Sequence, residues 1–243
     1  MKQDVSFTMR DLLEAGVHFG HRVHRWNPHM REFIYGKIHG SHIINLDETV
    51  SCLRHALIAL EKVARRKESI LFVGTKRRAS DIIAAEARRC RQHYVHHRWL
   101  GGMLTNWKTV SASTRRLHAL SEERNKSDSA LTKKERLRIE REYNKLERAL
   151  GGIKNMEGQP SMLFVIDTVK EAIAVSEANK LRIPVVAVTD TNADPAKIQY
   201  PIPGNDDSLK AIRLYARLAA NAVLKGSGET PWTEETVPDM KRA

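Results

Sequence analysis

Three short apolar runs constrain this chain more than any other feature: SILFVG (69–74), SMLFVID (161–167) and PVVAVTD (184–190). None alternates apolar with polar residues, so a strand built from any of them has no face suited to water and must be covered on both sides. Helical patterns separate them. HIINL (42–46) leads into one over 47–64, SILFVG into one over 79–91 and SMLFVID into one over 171–179; YVHHRW (94–99) adds a further strand-like run, and a last helix is expected from Asp207 to about Leu224. Covered strands alternating with helices predict an α/β fold in three layers, a parallel sheet between two sets of helices.

One interval breaks this rhythm. A parallel crossover needs only about a dozen residues, yet residues 100–160 separate YVHHRW from SMLFVID. Within them Trp107, Val110, Thr114 and Leu117 follow a 3,4,3 spacing, and Ile139, Tyr143, Leu146 and Leu150 a 4,3,4 spacing, the seams of two helices. The polar stretch SEERNKSDSA lies between them. Thr132 and Glu135 have the spacing of a capping box that opens the second helix, and Gly151-Gly152 closes it. Two amphipathic helices lying flat on a core share this periodicity. The mixed charges of KKERLRIEREYNKLER around a thin apolar stripe favour an inserted antiparallel coiled-coil hairpin that projects from the sheet. The expected division is an N-terminal extension (1–41), an α/β sheet domain (42–103 and 157–226), the hairpin (104–156) and a C-terminal tail (227–243).

The 243 residues suffice for a full core, and 41 Lys+Arg against 29 Asp+Glu give a net charge of +12 spread along the chain, which favours a polyanionic partner. Cys52 and Cys90 lie far apart in helical segments, the usage of a reducing compartment. No apolar run approaches the roughly 20 residues that span a bilayer. The opening MKQDVSFTMRDLLEAG lacks the order of a secretory signal. A cytoplasmic protein with no membrane partner is expected.

Cations cluster at the ends of strands. SILFVGTKRRAS puts Lys76, Arg77 and Arg78 where open α/β sheets bind ligands. Its spacing fits neither the P-loop nor the dinucleotide fingerprint, so single phosphates of a polymer suit it better than a diphosphate. HHRWLGGMLTNWKT (96–109) carries His97, Arg98, Asn106 and Lys108 around two tryptophans and a Gly-Gly step, with Arg115 further along the same helix. Trp99 and Trp107 are expected to pack the base of the hairpin, which fixes the neighbouring cations for phosphate contact; stacking on bases is the other reading. GVHFGHRVHRWNPHM adds Arg22 and Arg25 with His18, His21, His24 and His29, whose spacing suits either a metal or an RNA surface. TDTNADP and PGNDDS bring Asp190, Asp194, Asp206 and Asp207 toward one sheet end. Asp206 and Asp207 equally suit the start of the last helix as caps. No nucleophile accompanies the acids, and no catalytic residue is assigned.

GVHFGHRVHRWNPHM, HIINLDETV, ILFVGTKRRAS, HHRWLGGMLTNWKT, LGGIKNM, IPVVAVTDTNADP and IPGNDDS, in this order, resemble the signature blocks of the bacterial small-subunit ribosomal protein two family, to about Leu224. Departures are His96 before HRW, a more basic HRVHRW block, and a short tail of small net charge, ETPWTEETVPDMKRA. The resemblance implies a Rossmann-like domain with a coiled-coil arm, bound to small-subunit ribosomal RNA in the cytoplasm, with no catalysis, no small-molecule substrate and no required cofactor. It implies docking of ribosomal protein one near the messenger exit. It also implies a pocket for a structural zinc or magnesium built by His18 or His21 with Asp190, Asp206 and Asp207. Two rivals stand beside it: an α/β enzyme that binds a nucleotide or phosphometabolite at the GTK turn, and a platform that docks chiefly another protein.

Overall fold

The structure is a computed structural model that describes residues 7–125 and 132–229. The expectations for the chain's first residues, for the link between the hairpin helices and for the tail beyond Glu229 lie outside the described residues.

The chain opens with α1 (Met9–Glu14), started by a reciprocal cap in which Thr8 and Asp11 each accept from the other's backbone N–H. Three strands follow, β1 (Phe19–Arg22), β2 (Ile34–Ile38) and β3 (Ser41–Ile44), in an antiparallel sheet of order β1-β3-β2. HIINL therefore does not join the parallel series suggested by its sequence. The reason is the His39-Gly40 step, where both residues take positive φ (49° and 78°), the two-residue hairpin turn that returns a strand beside its predecessor.

From α2 (Leu46–Arg65) onward the three-layer arrangement holds. In chain order come β4 (Ile70–Val73), α3 (Arg77–Arg89), β5 (His93–Val95), α4 (Trp107–Asn125), α5 (Lys133–Leu150), β6 (Met162–Ile166), α6 (Ala172–Lys180), β7 (Val185–Thr189), β8 (Tyr200–Pro203) and α7 (Leu209–Ser227). The five strands from β4 to β8 make a parallel sheet of order β5-β4-β6-β7-β8. Successive residues of one strand serve opposite cores. Phe72, Phe164, Val186 and Val188 pack with Leu53, Leu60, Ile83 and Tyr215 on one side, while Leu71, Val73, Leu163 and Val165 meet Met103, Leu104, Leu117 and Ile153 on the other. Each such side chain contributes about 1.5–3 kcal/mol by leaving water. The sequence pattern had no place for β8. Pro201 and Pro203 interrupt its periodicity, and they are accommodated because β8 is an edge strand paired with β7 alone.

Helices α4 and α5 pack on each other along the expected seams. Thr114, Leu117 and Leu150 are buried and Val110, Tyr143 and Leu146 partly so. Arg116 donates to Glu142 at 3.0 and 3.2 Å, and the Arg124 guanidinium lies 4.1 Å from the Tyr143 ring centre. Thr132 and Glu135 form the capping box. At the far end, Gly152 passes so close to β5 that a Cβ there would overlap the carbonyl oxygen of Tyr94. Both cysteines are free; Cys90 is buried, and burial pushes its thiol up to about 12.

Candidate nucleic-acid interface

Residues 96–106 form an elbow between β5 and α4. Trp99 is only 7% exposed and Trp107 is partly buried against the same core, so both tryptophans pack the base of the hairpin. The elbow is gathered around one acid from a distant helix. Glu177 of α6, 5% exposed, accepts from the Trp99 indole N–H at 3.1 Å and the Gly102 amide at 2.7 Å through Oε1. Its Oε2 accepts from the Leu104 amide, the Thr105 amide and the Thr105 hydroxyl, each at 3.0 Å. Gly102 turns its amide inward with φ at +84°, a conformation that favours glycine. Burial pushes the Glu177 carboxyl up, but the donors around it outweigh burial and hold it below the usual glutamate range. His97, Arg98, Asn106, Lys108 and Arg115 flank this buried knot and are exposed. Asn106 receives the Thr109 hydroxyl at 2.9 Å.

The turn after β4 is arranged differently from expectation. Lys76 is not a free surface cation: its ammonium lies 2.8 Å from Asp167, 2.7 Å from Asp206 and 2.8 Å from Asp207. Three carboxylates engage its three N–H groups, leaving none for a phosphate. Burial would lower its pKa, but Asp206 and the hydrogen bonds to the acids raise it well above the ordinary lysine value. Thr75 donates its amide and hydroxyl to Glu171 at 2.8 and 2.5 Å. Glu171 is raised by its burial against the opposing pull of Thr75. The crevice between β4 and β6, where strand order reverses and an α/β sheet ordinarily takes a nucleotide, is thus occupied by the protein's own side chains. Arg77 and Arg78 remain exposed, with Arg78 donating to the Asp207 carbonyl at 3.1 Å.

Beside Lys76 the expected acids converge. His21 lies 2.8 Å from Asp190 through Nδ1 and 3.7 Å from Asp207 through Nε2. Ligand atoms of His21, Asp190 and Asp206 fall within 4.8 Å of one another. His18 is not in this group; its ring packs on Phe19 at 4.0 Å between centres and burial lowers its pKa. Of the two histidines that the resemblance leaves open, His21 is the one whose ring lies beside these acids. The hydrogen bond to Asp190 raises the His21 pKa. Asp206 is pushed up to about 7 by burial and by the charges of Asp167 and Asp190, against the pull of Lys76. Neither Asp206 nor Asp207 caps the last helix; Ser208 does. His29 lies apart from this group, 2.9 Å from Asp194 at the surface.

These contacts bring the basic segments to one end of the parallel sheet. Arg77 and Arg78 follow β4, His97 and Arg98 follow β5, and Asp190, just past β7, holds His21 next to exposed Arg22. Arg25 is exposed three residues further on, beside Trp26, which packs on His42 at 5.5 Å between centres. Sequence reading missed Glu177 and Glu171 because each lies in a helical pattern as an ordinary acid, 72 to 78 and 96 residues from its partners.

The profile of the family described as ribosomal protein S2 matches residues 12–226. The small ribosomal subunit protein uS2 of Chelativorans sp. (strain BNC1) is 58% identical over 220 residues, 90% of this chain and 82% of that protein. The uS2 protein of Paramagnetospirillum magneticum is 57% identical over 222 residues, covering 91% and 84%. That of Brucella suis is 58% identical over 220 residues, covering 90% and 86%.

Proposed function

The chain belongs to the ribosomal protein S2 family, and from that premise we propose that it is a structural constituent of the small ribosomal subunit that grips folded ribosomal RNA with cations mounted on a rigid sheet. It is a ribosomal protein, not an enzyme. The contacts are Arg22, Arg25, Arg77, Arg78, His97, Arg98, Asn106, Lys108 and Arg115, and helices α4 and α5 extend the surface reached from the sheet domain. Lys76 leaves that set and serves instead to hold the acids together. The observation that carries this reading is the elbow, where a packed, hydrogen-bonded knot fixes exposed cations on both sides of it. Among the described residues no helix is long and apolar enough to cross a membrane, and we place the protein on cytoplasmic ribosomes.

Sedimentation of a tagged chain through a sucrose gradient tests the assignment: it travels with small subunits, and failure to do so removes it. Rebinding to subunits that lack their own S2 protein should weaken with salt, and each lost phosphate contact should lower the logarithmic slope by about 0.7 to 0.9.

Two finer parts belong to the same proposal. The first is docking of ribosomal protein one, for which the small antiparallel sheet offers exposed Phe19, Tyr35 and Ile38. A pull-down of purified protein one after thorough nuclease digestion checks it, and loss of capture counts against it. The second is a structural zinc or magnesium held by His21, Asp190 and Asp206, with Asp207 beside them. The mixed nitrogen and oxygen donors fit such an ion, and the acid excess that raises Asp206 is the charge it would relieve. When bound, the ion supplies charge neutralisation and a tie between the two sheets. Chelation should then lower the melting temperature of the wild type and leave Asp190→Asn unmoved.

A further inference from the structure

We propose that Glu177 is the positioning residue of the RNA-contacting elbow: by drawing five donors from residues 99–105 onto one buried carboxylate, it sets where Arg98 and Lys108 stand relative to each other. This rests on the RNA-binding reading above and adds to it a residue that touches no RNA.

The argument begins with what else holds the elbow. Within it, Met103 donates to the Leu100 carbonyl at 3.0 Å and Asn106 to that of Gly102 at 2.8 Å, two local turns that do not span the segment, and from outside Gln159 donates to the Leu104 carbonyl at 3.3 Å, one long bond at a single point. Trp99, Met103 and Leu104 are buried, but apolar contact is non-directional and does not choose one backbone path. The carboxylate does. Its two oxygens bind both ends, the Trp99 indole next to Arg98 and Thr105 just before Asn106 and Lys108. Among the described residues the side chains of Arg98 and Lys108 enter no ion pair or hydrogen bond, so their placement follows from the backbone that carries them. Hydrogen bonds to an ionised acceptor are about twice as strong as neutral ones, and the buried Leu104 amide donates to this carboxylate at 3.0 Å.

The Glu177→Gln variant tests this directly. Gln keeps the volume but turns an N–H₂ group toward donors that need an acceptor. Rebinding to small subunits lacking their S2 protein would be measured over a range of monovalent salt, together with far-ultraviolet dichroism and Trp99-reporting fluorescence. The expected result is intact overall dichroism, altered fluorescence, an affinity loss of about tenfold or more, and a salt slope lowered by about 1 to 2 as Arg98 and Lys108 lose their phosphates. The slope is decisive, because a merely destabilised chain binds less through its smaller folded fraction without changing the number of phosphates it contacts. Trp99→Phe and Thr105→Val each remove one side-chain donor and keep the carboxylate, and losses of about twofold to fivefold follow from one bond in five. If Glu177→Gln binds with the wild-type slope, the positioning role is wrong. If Arg98→Ala and Lys108→Ala also leave affinity and slope unchanged, it is the assignment of the elbow as an RNA contact that fails.

Discussion

Two buried acidic sites stand on the same sheet domain and behave as opposites. At the elbow one carboxylate, Glu177, meets five donors; in the cluster at the carboxyl end of the sheet four carboxylates, Asp167, Asp190, Asp206 and Asp207, share Lys76 and His21. Where donors outnumber the acid, the charge is held and its pKa falls despite burial; where acids outnumber their partners, Asp206 rises to about 7. Burial alone does not decide which way a carboxyl group shifts. At Glu177 five donors outweigh burial, whereas at Asp206 burial and the neighbouring acids outweigh Lys76. The first site is complete as built, and the second is the one for which we propose a structural cation.

The largest test of this contrast removes the lysine. Lys76→Ala leaves buried acids uncompensated and should cost about 3–5 kcal/mol at pH 8, read by urea unfolding, with much of the loss recovered near pH 5 as Asp206 takes a proton. A loss that is the same at both pH values would break the comparison. Glu177→Ala strands several donors instead and should cost about 3 kcal/mol or more, with little dependence on pH between 6 and 8.

The two sites should also respond to pH with opposite sign in chelator-treated protein. Asp206 binds its proton more tightly folded than unfolded, so its contribution favours the fold below about 3.8 and is lost as pH rises toward about 7. Glu177 binds its proton less tightly when folded. Its contribution is present above the ordinary glutamate value, about 4.3, and disappears as pH falls through its lowered folded value. Trp99 fluorescence should therefore stay constant from pH 8 through 5 and change only in stronger acid. The smallest effect is Thr105→Val, which takes one donor of five and should cost about 1 kcal/mol in the same unfolding assay.

The unalternated runs were enough to show a parallel sheet between helices, because a strand buried on both faces leaves its signature in every residue. The helical seams were equally legible, since a 3.5-residue period belongs to few other structures. Three strands escaped and a fourth was misplaced: β1 and β2 fall in the segment read as an N-terminal extension, Pro201 and Pro203 disguised β8, and the His39-Gly40 turn sent β3 into a different sheet. At the site, sequence showed which residue types gather at strand ends but not their pairing. Lys76 reads as one more cation in GTKRRAS because Asp206 and Asp207 lie 130 and 131 residues away. His21 and His18 look alike until Asp190 accepts one of them. Glu177 gives no signal, since a buried acid that satisfies distant amides has the same letter and helical setting as one that faces water.

Gly152 sets a mechanical limit on the hairpin. Its bare α-carbon slides under the Tyr94 carbonyl where the chain returns to the body, so even one methyl group there must wedge α5 away from β5. That helix has 18 residues, about 27 Å at 1.5 Å each. A tilt forced at this contact would displace the opposite end of the helix, at Lys133, by more than it displaces the base.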